Sequence, residues 1–256
     1  MAASTVDIPA IVLSGGPMLD GWHEGELVGS GTVIWRSRRK LAAGEITEEQ
    51  FLDRATSSAP SAGHCNSMGT ASTMNAVAEA LGMSLTGCAA IPAPYRERGQ
   101  MAYLTGKRIV EMVREDLRLS RILTRAAFEN AIATVSVIGG SSNVQPHIQA
   151  MASHAGVELP LTVWQDHGWD LPLLVNIQPA GAYLGERFHR AGGVPAAMWE
   201  LLEAGRLHGD CVTCTGASMA TNLAGRESTD REMIRPFAKP LREQGGFIVL
   251  SGNLFD

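Results

Sequence analysis

Apolar positions along this chain fall into two kinds of pattern. Three short, mostly apolar runs, Ile8–Leu13, Leu173–Ile177 and Phe247–Leu250, read as strands. Elsewhere the apolar residues recur at helical spacing. In the segment Ser67–Leu81, Met74, Val77, Ala78 and Leu81 stand at i, i+3, i+4 and i+7, and Gly82 occupies the place where a glycine ends a helix. A second helix is predicted over 100–115, with Met101, Ile109, Met112 and Val113 turned inward. Thr124 is placed to cap a third, in which Phe128, Ile132 and Val135 share a stripe, and a fourth covers Val144–His154 before Gly156. Pro195 near the start and Gly205 past the end bracket a fifth. Thr47 caps a shorter helix through Arg54, Gly21–Thr32 reads as a glycine-rich loop, and Ser57–Gly63 as a small-residue linker. Strand-like runs alternating with helices favour a layered α/β architecture. Nothing marks an internal boundary, so 1–256 is expected to be one domain. It starts almost on a strand and stops just after one, which fits an incomplete, cut-out segment. Ile11–Gly15 recurs as Ile248–Gly252, and chance accounts for five matching residues.

Composition narrows the classes. The chain has 256 residues, of which 45% are hydrophobic and 18% charged, with a net charge of -5. A sizeable core can be buried, and a mildly acidic chain without a basic tract is a poor match for nucleic acid or an anionic membrane. No run is apolar enough to span a bilayer, and Met1–Ile8 has no basic and apolar leader pattern, so the cytoplasm is the expected location. Four cysteines, Cys65, Cys88, Cys211 and Cys214, argue against a disulfide framework there and leave metal binding or catalysis open.

Gly63-His64-Cys65-Asn66-Ser67-Met68-Gly69-Thr70 is the most informative stretch. Cys65 precedes a strong helix, whose free N–H groups and positive dipole end favour the thiolate that iron or zinc takes as a ligand. Gly63 and Gly69 let the backbone approach a bulky group, and Asn66 and Ser67 are able to donate to cluster sulfurs. The same residues also suit an ordinary packed thiol at a helix start. Cys211-Val212-Thr213-Cys214 has C-x-x-C spacing but no second pair near it, and the alternation of Val212 with polar neighbours suits a plain strand. Gly139-Gly140-Ser141-Ser142-Asn143 lies between two helices. Either it is a simple corner, or its N–H groups and hydroxyls hold a carboxylate or hydroxyls at the next helix start, with His147 one turn on pointing back. No histidine pair has metal-ligand spacing such as H-E-x-x-H.

The stretch Gly63–Asn75 closely resembles the cluster-ligand motif of the dihydroxy-acid and sugar-acid dehydratases. The resemblance continues in order through Ala80-Leu81-Gly82, Ile91-Pro92-Ala93, Ile122-Leu123-Thr124, Phe128–Ile132, Gly139–Asn143, His189–Pro195 and Leu250–Asp256. Pro17–Trp22, His64-Cys65-Asn66 and Pro92–Arg98 resemble the arabinonate and xylonate dehydratase branch more than the branched-chain amino-acid enzymes. The resemblance implies a three-layer α/β unit with a mainly parallel sheet, the family's N-terminal domain without its C-terminal β-barrel-like domain. It implies a hydro-lyase that removes water from a pentonate-type 2,3-dihydroxy acid to give a 2-keto-3-deoxy acid. The iron–sulfur cluster acts as Lewis acid, [2Fe–2S] being favoured over [4Fe–4S], and Mg2+ serves in the complete enzyme.

Residue by residue, the resemblance assigns Cys65 as one of three cluster cysteines. It assigns Ser142 and Asn143 to the substrate, with Ser142 in place of the usual Thr, and His147 stays a substrate candidate. It places the other cluster cysteines and the magnesium residues before this chain, and the serine base beyond Asp256, so no catalytic base is expected within it. The chain alone is therefore expected to be inactive. The partners implied are a small-molecule sugar acid and further copies of the chain in a homo-oligomer, with no nucleic acid and no membrane. The alternatives are a non-catalytic relic, a dihydroxy-acid dehydratase of branched-chain amino-acid synthesis, and a zinc module using Cys211 and Cys214.

Overall fold

A helix that is mostly apolar on every face is stable only where every face is covered. Residues 125–138 meet that condition in the computed structural model of the protein, which describes residues 1–250, 252 and 253. In chain order the elements are α1 (Ala2–Val6), β1 (Gly21–His23), β2 (Glu26–Val28), α2 (Val33–Ala42), α3 (Glu48–Ser57), α4 (Thr70–Ala80) and α5 (Arg96–Arg114). After a 3₁₀ turn at Leu119–Arg121 come α6 (Arg125–Ile138), α7 (Val144–His154), α8 (Thr162–Gly168), α9 (Gly185–Arg190), α10 (Gly193–Glu203) and α11 (Met219–Leu223). From Ala127 to Ile138 every residue of α6 except Glu129 is buried, and α4, α8 and α10 pack around it. Its polar residues are satisfied within the helix or across it. Thr134 and Ser136 donate to the carbonyls of Asn130 and Ile132, at 2.7 and 2.9 Å, and the Asn130 amide reaches the His208 backbone.

The helix signals act where the sequence puts them. Thr47 forms a capping box with Gln50, each side chain taking the other's backbone N–H, and the helix runs on to Ser57. The Thr124 side chain accepts from Ala127 N at 3.3 Å. Gly82 has φ +78°, and a Cβ there would stand 3.0 Å from Thr213, so this glycine both ends α4 and lets the 213–214 segment close on it. In α5, Met112 is buried, and Met101 and Ile109 are half-buried. Val113 is 61% exposed rather than inward-facing, because the buried stripe runs through Met101, Thr105, Ile109 and Met112. The predicted loop over 21–32 contains the β1–β2 hairpin, paired Gly21 to Val28 around a Glu24-Gly25 turn with φ +50° and +81°.

None of the three apolar runs forms a strand, and they make no sheet with one another. Among the described residues the sheet is the two-stranded antiparallel hairpin, in place of a mainly parallel one. The buried segment Leu173–Ile177 makes single bridges to three different partners: Arg242 and Ile234 antiparallel, and Tyr183 parallel. Leu174 N also donates to the carbonyl of Val137 at 2.8 Å, at the end of α6. Ile8–Leu13 lies along the turn after α4, where Val12 N donates to Met83 O and Ser84 Oγ donates to Val12 O. In Phe247–Leu250, Phe247 meets Trp164 edge-on at 5.3 Å, and Leu250 faces outward. The closing motif Leu250–Asp256 lies mostly outside the described residues. No helix among them is long and apolar enough to cross a membrane.

Candidate functional site

Cys65 sits in a loop that runs toward α4, and Gly69 is the helix's N-cap residue. Its thiol is half-buried, with two hydroxyls beside it. Ser30 Oγ donates to Cys65 Sγ at 3.1 Å, and the Ser67 hydroxyl lies 3.0 Å from the same sulfur. Gly31 closes the third side of this notch. A Cβ at that position would come within 2.5 Å of Ser67 Oγ and 3.0 Å of Cys65 Sγ, so only glycine leaves the space beside the sulfur open. Hydroxyl donors directed at sulfur stabilise negative charge on it.

Ser67 thus lies against the Cys65 sulfur, and Asn66 takes a different role. Asn66 is fully buried, and its amide oxygen accepts from Ser30 N at 2.9 Å while its amide nitrogen donates to Leu19 O at 2.9 Å. It ties the loop 17–20, the turn at Ser30 and the Cys65 loop together. His64 donates from Nδ1 to Cys65 O at 3.0 Å, and its Nε2 accepts from the Asn75 amide at 2.7 Å. Those two partners fix the neutral tautomer, in agreement with burial, which holds the imidazole below its usual range. Asp20 and Glu186 lock the neighbouring loop reciprocally, each carboxylate accepting the other's backbone N–H at 3.1 Å. Burial, with Glu186 adding, pushes the Asp20 carboxyl up to about 6.

The first turn of α4 carries a second contact. Ser72 Oγ donates to Ser67 O at 2.9 Å on the cysteine side. On the other side Thr73 Oγ1 accepts from Ser141 N at 2.9 Å, and Thr70 Oγ1 accepts from the Asn143 amide at 3.0 Å. Gly140 permits this, since a Cβ there would meet Thr73 Cγ2 at 3.0 Å. The Gly139–Asn143 turn and the Cys65 loop thus share one helix end. Ser142, Asn143 and His147 are exposed, and no hydrogen bond places His147 against the turn among the described residues. Next to Gly31 opens a cleft of about 440 Å³ lined by Thr32, Trp35, Arg36, Arg39, Gln178 and Gly181. Sequence reasoning missed Ser30, Gly31 and these arginines. They lie on a loop without periodicity and on a helix whose pattern is mostly polar.

The remaining cysteines are packed thiols. Cys88 is fully buried, with Arg98 Nη1 at 3.5 Å from its sulfur. Burial raises Cys211 and pushes Cys214 up to about 12. Among the described residues neither thiol belongs to a group of three or more donors within metal-binding reach, which gives a zinc site there no support.

Residues 1–222 match the family described as dihydroxy-acid/6-phosphogluconate dehydratase, N-terminal. Along its whole length the chain is 73% identical to a D-xylonate dehydratase of Caulobacter vibrioides, covering 43% of that protein. It is 47% identical to an L-arabinonate dehydratase of Rhizobium leguminosarum and 42% identical to a dihydroxy-acid dehydratase of Caldanaerobacter subterraneus. Each match covers 99% of this chain, and 44% and 46% of the respective relatives. The chain thus spans less than half the length of these curated relatives.

Proposed function

Because the chain belongs to the dihydroxy-acid/6-phosphogluconate dehydratase family, we propose that it is an incomplete N-terminal-type α/β domain, over 1–256, of a hydro-lyase. The substrate is a pentonate-type 2,3-dihydroxy acid and the product a 2-keto-3-deoxy acid. The relatives named for D-xylonate and L-arabinonate support a sugar acid. The observation that carries the reading is the notch at Cys65: one half-buried sulfur, two hydroxyls against it, and a glycine where any side chain would fill the space. These residues fit an iron–sulfur cluster with Cys65 as one ligand, and the resemblance to the pentonate branch favours [2Fe–2S] over [4Fe–4S]. When bound, the cluster supplies an open iron as Lewis acid for the departing 3-hydroxyl.

The chain's own residues then orient and shield. Ser30 and Ser67 hold charge on the Cys65 sulfur, and Asn66 keeps their loops in register. Arg36 and Arg39 present cations along the cleft beside Gly31, where a carboxylate is the complementary group. Ser142, Asn143 and His147 offer polar contacts to substrate hydroxyls beyond the end of α4. Mg2+ belongs to the complete enzyme. Among the described residues the group of carboxylate, thiol or imidazole donors within metal-binding reach does not include Cys65. The missing ligands and the base come from the rest of a longer protein, so this chain alone does not turn over substrate. The three-layer α/β arrangement with a mainly parallel sheet is completed only there. The complete protein is a cytoplasmic homo-oligomer.

The test is anaerobic reconstitution with iron and sulfide in the longer protein. Cys65→Ser is expected to abolish both the cluster's charge-transfer absorbance and the dehydration of D-xylonate or L-arabinonate. Ser30→Ala is expected to keep the cluster and shift its reduction potential, because one hydrogen bond to sulfur is lost. Full absorbance in Cys65→Ser would rule out the ligand assignment.

A further inference from the structure

A second set of side chains able to ligate a metal meets far along the sequence from Cys65. Glu129 on α6, His167 on the last turn of α8 and His208 in the loop after α10 each offer one donor atom, and all three atoms lie within 4.8 Å of one another. His208 Nε2 is 2.8 Å from one Glu129 carboxylate oxygen, and His167 Nε2 is 3.5 Å from the other. Zinc bonds of 2.0–2.2 Å in tetrahedral geometry separate neighbouring donors by about 3.3–3.5 Å, so small rotations of the two imidazoles bring the set to that spacing.

The backbone that carries these donors is fixed before any ion arrives. The buried Asn130 grips the His208 peptide on both sides, accepting from its N–H at 2.7 Å and donating to its carbonyl at 2.9 Å. Gly168, next to His167, holds α8 tightly on α6: a Cβ there would stand 2.8 Å from Ser136 Oγ and 3.2 Å from Ile132. The Glu129 side chain is only 11% exposed, whereas His167 and His208 are 38% and 45% exposed and open to solvent. Arg125 donates to Glu129 Oε1 at 2.8 Å and to Glu158 O at 3.0 Å, so Oε1 lies between Arg125 and His167 while Oε2 faces His208. Cys211 lies behind Asn130, whose amide is 3.6 Å from its sulfur.

We propose that Glu129, His167 and His208 form a site for a divalent transition metal of the zinc class, with water in the fourth position. The donor set of two imidazoles and one carboxylate selects zinc, cobalt, nickel or copper over magnesium or calcium, which prefer all-oxygen shells. The three ligands come from three segments, so the ion clasps α8 and the loop after α10 onto the central helix. This site is independent of the cluster at Cys65.

The experiment is a Co2+ and Zn2+ titration of the full chain. One equivalent of Co2+ is expected to give the visible d–d absorption of a four-coordinate ion without a sulfur-to-metal charge-transfer band. Zn2+ should displace it, and Mg2+ should not. His167→Ala and His208→Ala are each expected to weaken binding at least tenfold, with the metal-free circular dichroism unchanged. Zn2+ should raise the melting temperature of the parent chain and leave that of the double variant unmoved. A cobalt spectrum dominated by thiolate charge transfer would overturn the site, as would metal affinity that is the same in the double variant.

Discussion

Glu79 is the residue where burial and charge conflict most sharply. It lies on α4, almost fully buried, and its two oxygens accept the backbone N–H groups of Gly87 and Ala89, closing the turn that follows the helix. Desolvation raises its carboxyl from 4.5 to about 7, against those hydrogen bonds and the pull of Arg226 and Arg98. Because the folded state holds the proton more tightly, the unfolded chain releases it first as pH rises. Glu79 therefore contributes stability that is fully present below pH 4.5 and declines as pH climbs to about 7. Glu79→Gln keeps one acceptor and cannot titrate. Urea unfolding of the variant should lose the downward slope that the parent shows across that window, and an equal slope in both would remove Glu79 as its source. At this scale the sequence spoke unevenly. Cys65 stood out as a candidate because its glycines, its neighbours and the following helix are local, although the same residues also suit a packed thiol. Ser30 did not, since it reaches the same sulfur from 35 positions away, out of a loop with no periodicity.

Among the elements, α6 carries the fold. Phe128 is fully buried on it, and Phe128→Ala is expected to cost about 3–5 kcal/mol, read as a lowered urea midpoint. Val113→Ala on α5 is expected to change stability by no more than about 0.5 kcal/mol, because that side chain is 61% exposed. Helix positions were readable from their caps. Thr47, Thr124 and Gly82 act through groups within a few residues, and local signals survive whatever packs outside. Which face of a helix turns inward depends on neighbours that are distant in sequence, and Val113 shows the cost of inferring it from spacing alone. The apolar runs were readable as mostly buried or half-buried chain, but not one of them became a strand. Their pairing was not readable, because a ladder needs a partner strand and periodicity names none.

In the whole molecule, α4 links its two best-matched motifs. Its first turn holds the Cys65 loop through Ser72 and the Gly139–Asn143 turn through Thr70 and Thr73. One helix end is thus a shared axle, and the angle at which it leaves Gly69 sets the bearing of both attachments. Adding one residue between Ser67 and Thr70 would turn the helix by about 100° relative to the cysteine loop. Thr70 and Thr73 would swing away from Ser141 and Asn143, while Cys65 kept its own hydroxyls. An added residue in the 59–62 linker, outside any helix, would be absorbed there. In the longer protein the first insertion is expected to spare the cluster spectrum and abolish turnover, and the second to spare both. The distance along the chain from cysteine to helix is therefore a setting of angle, and it tolerates changes of residue type far better than changes of count.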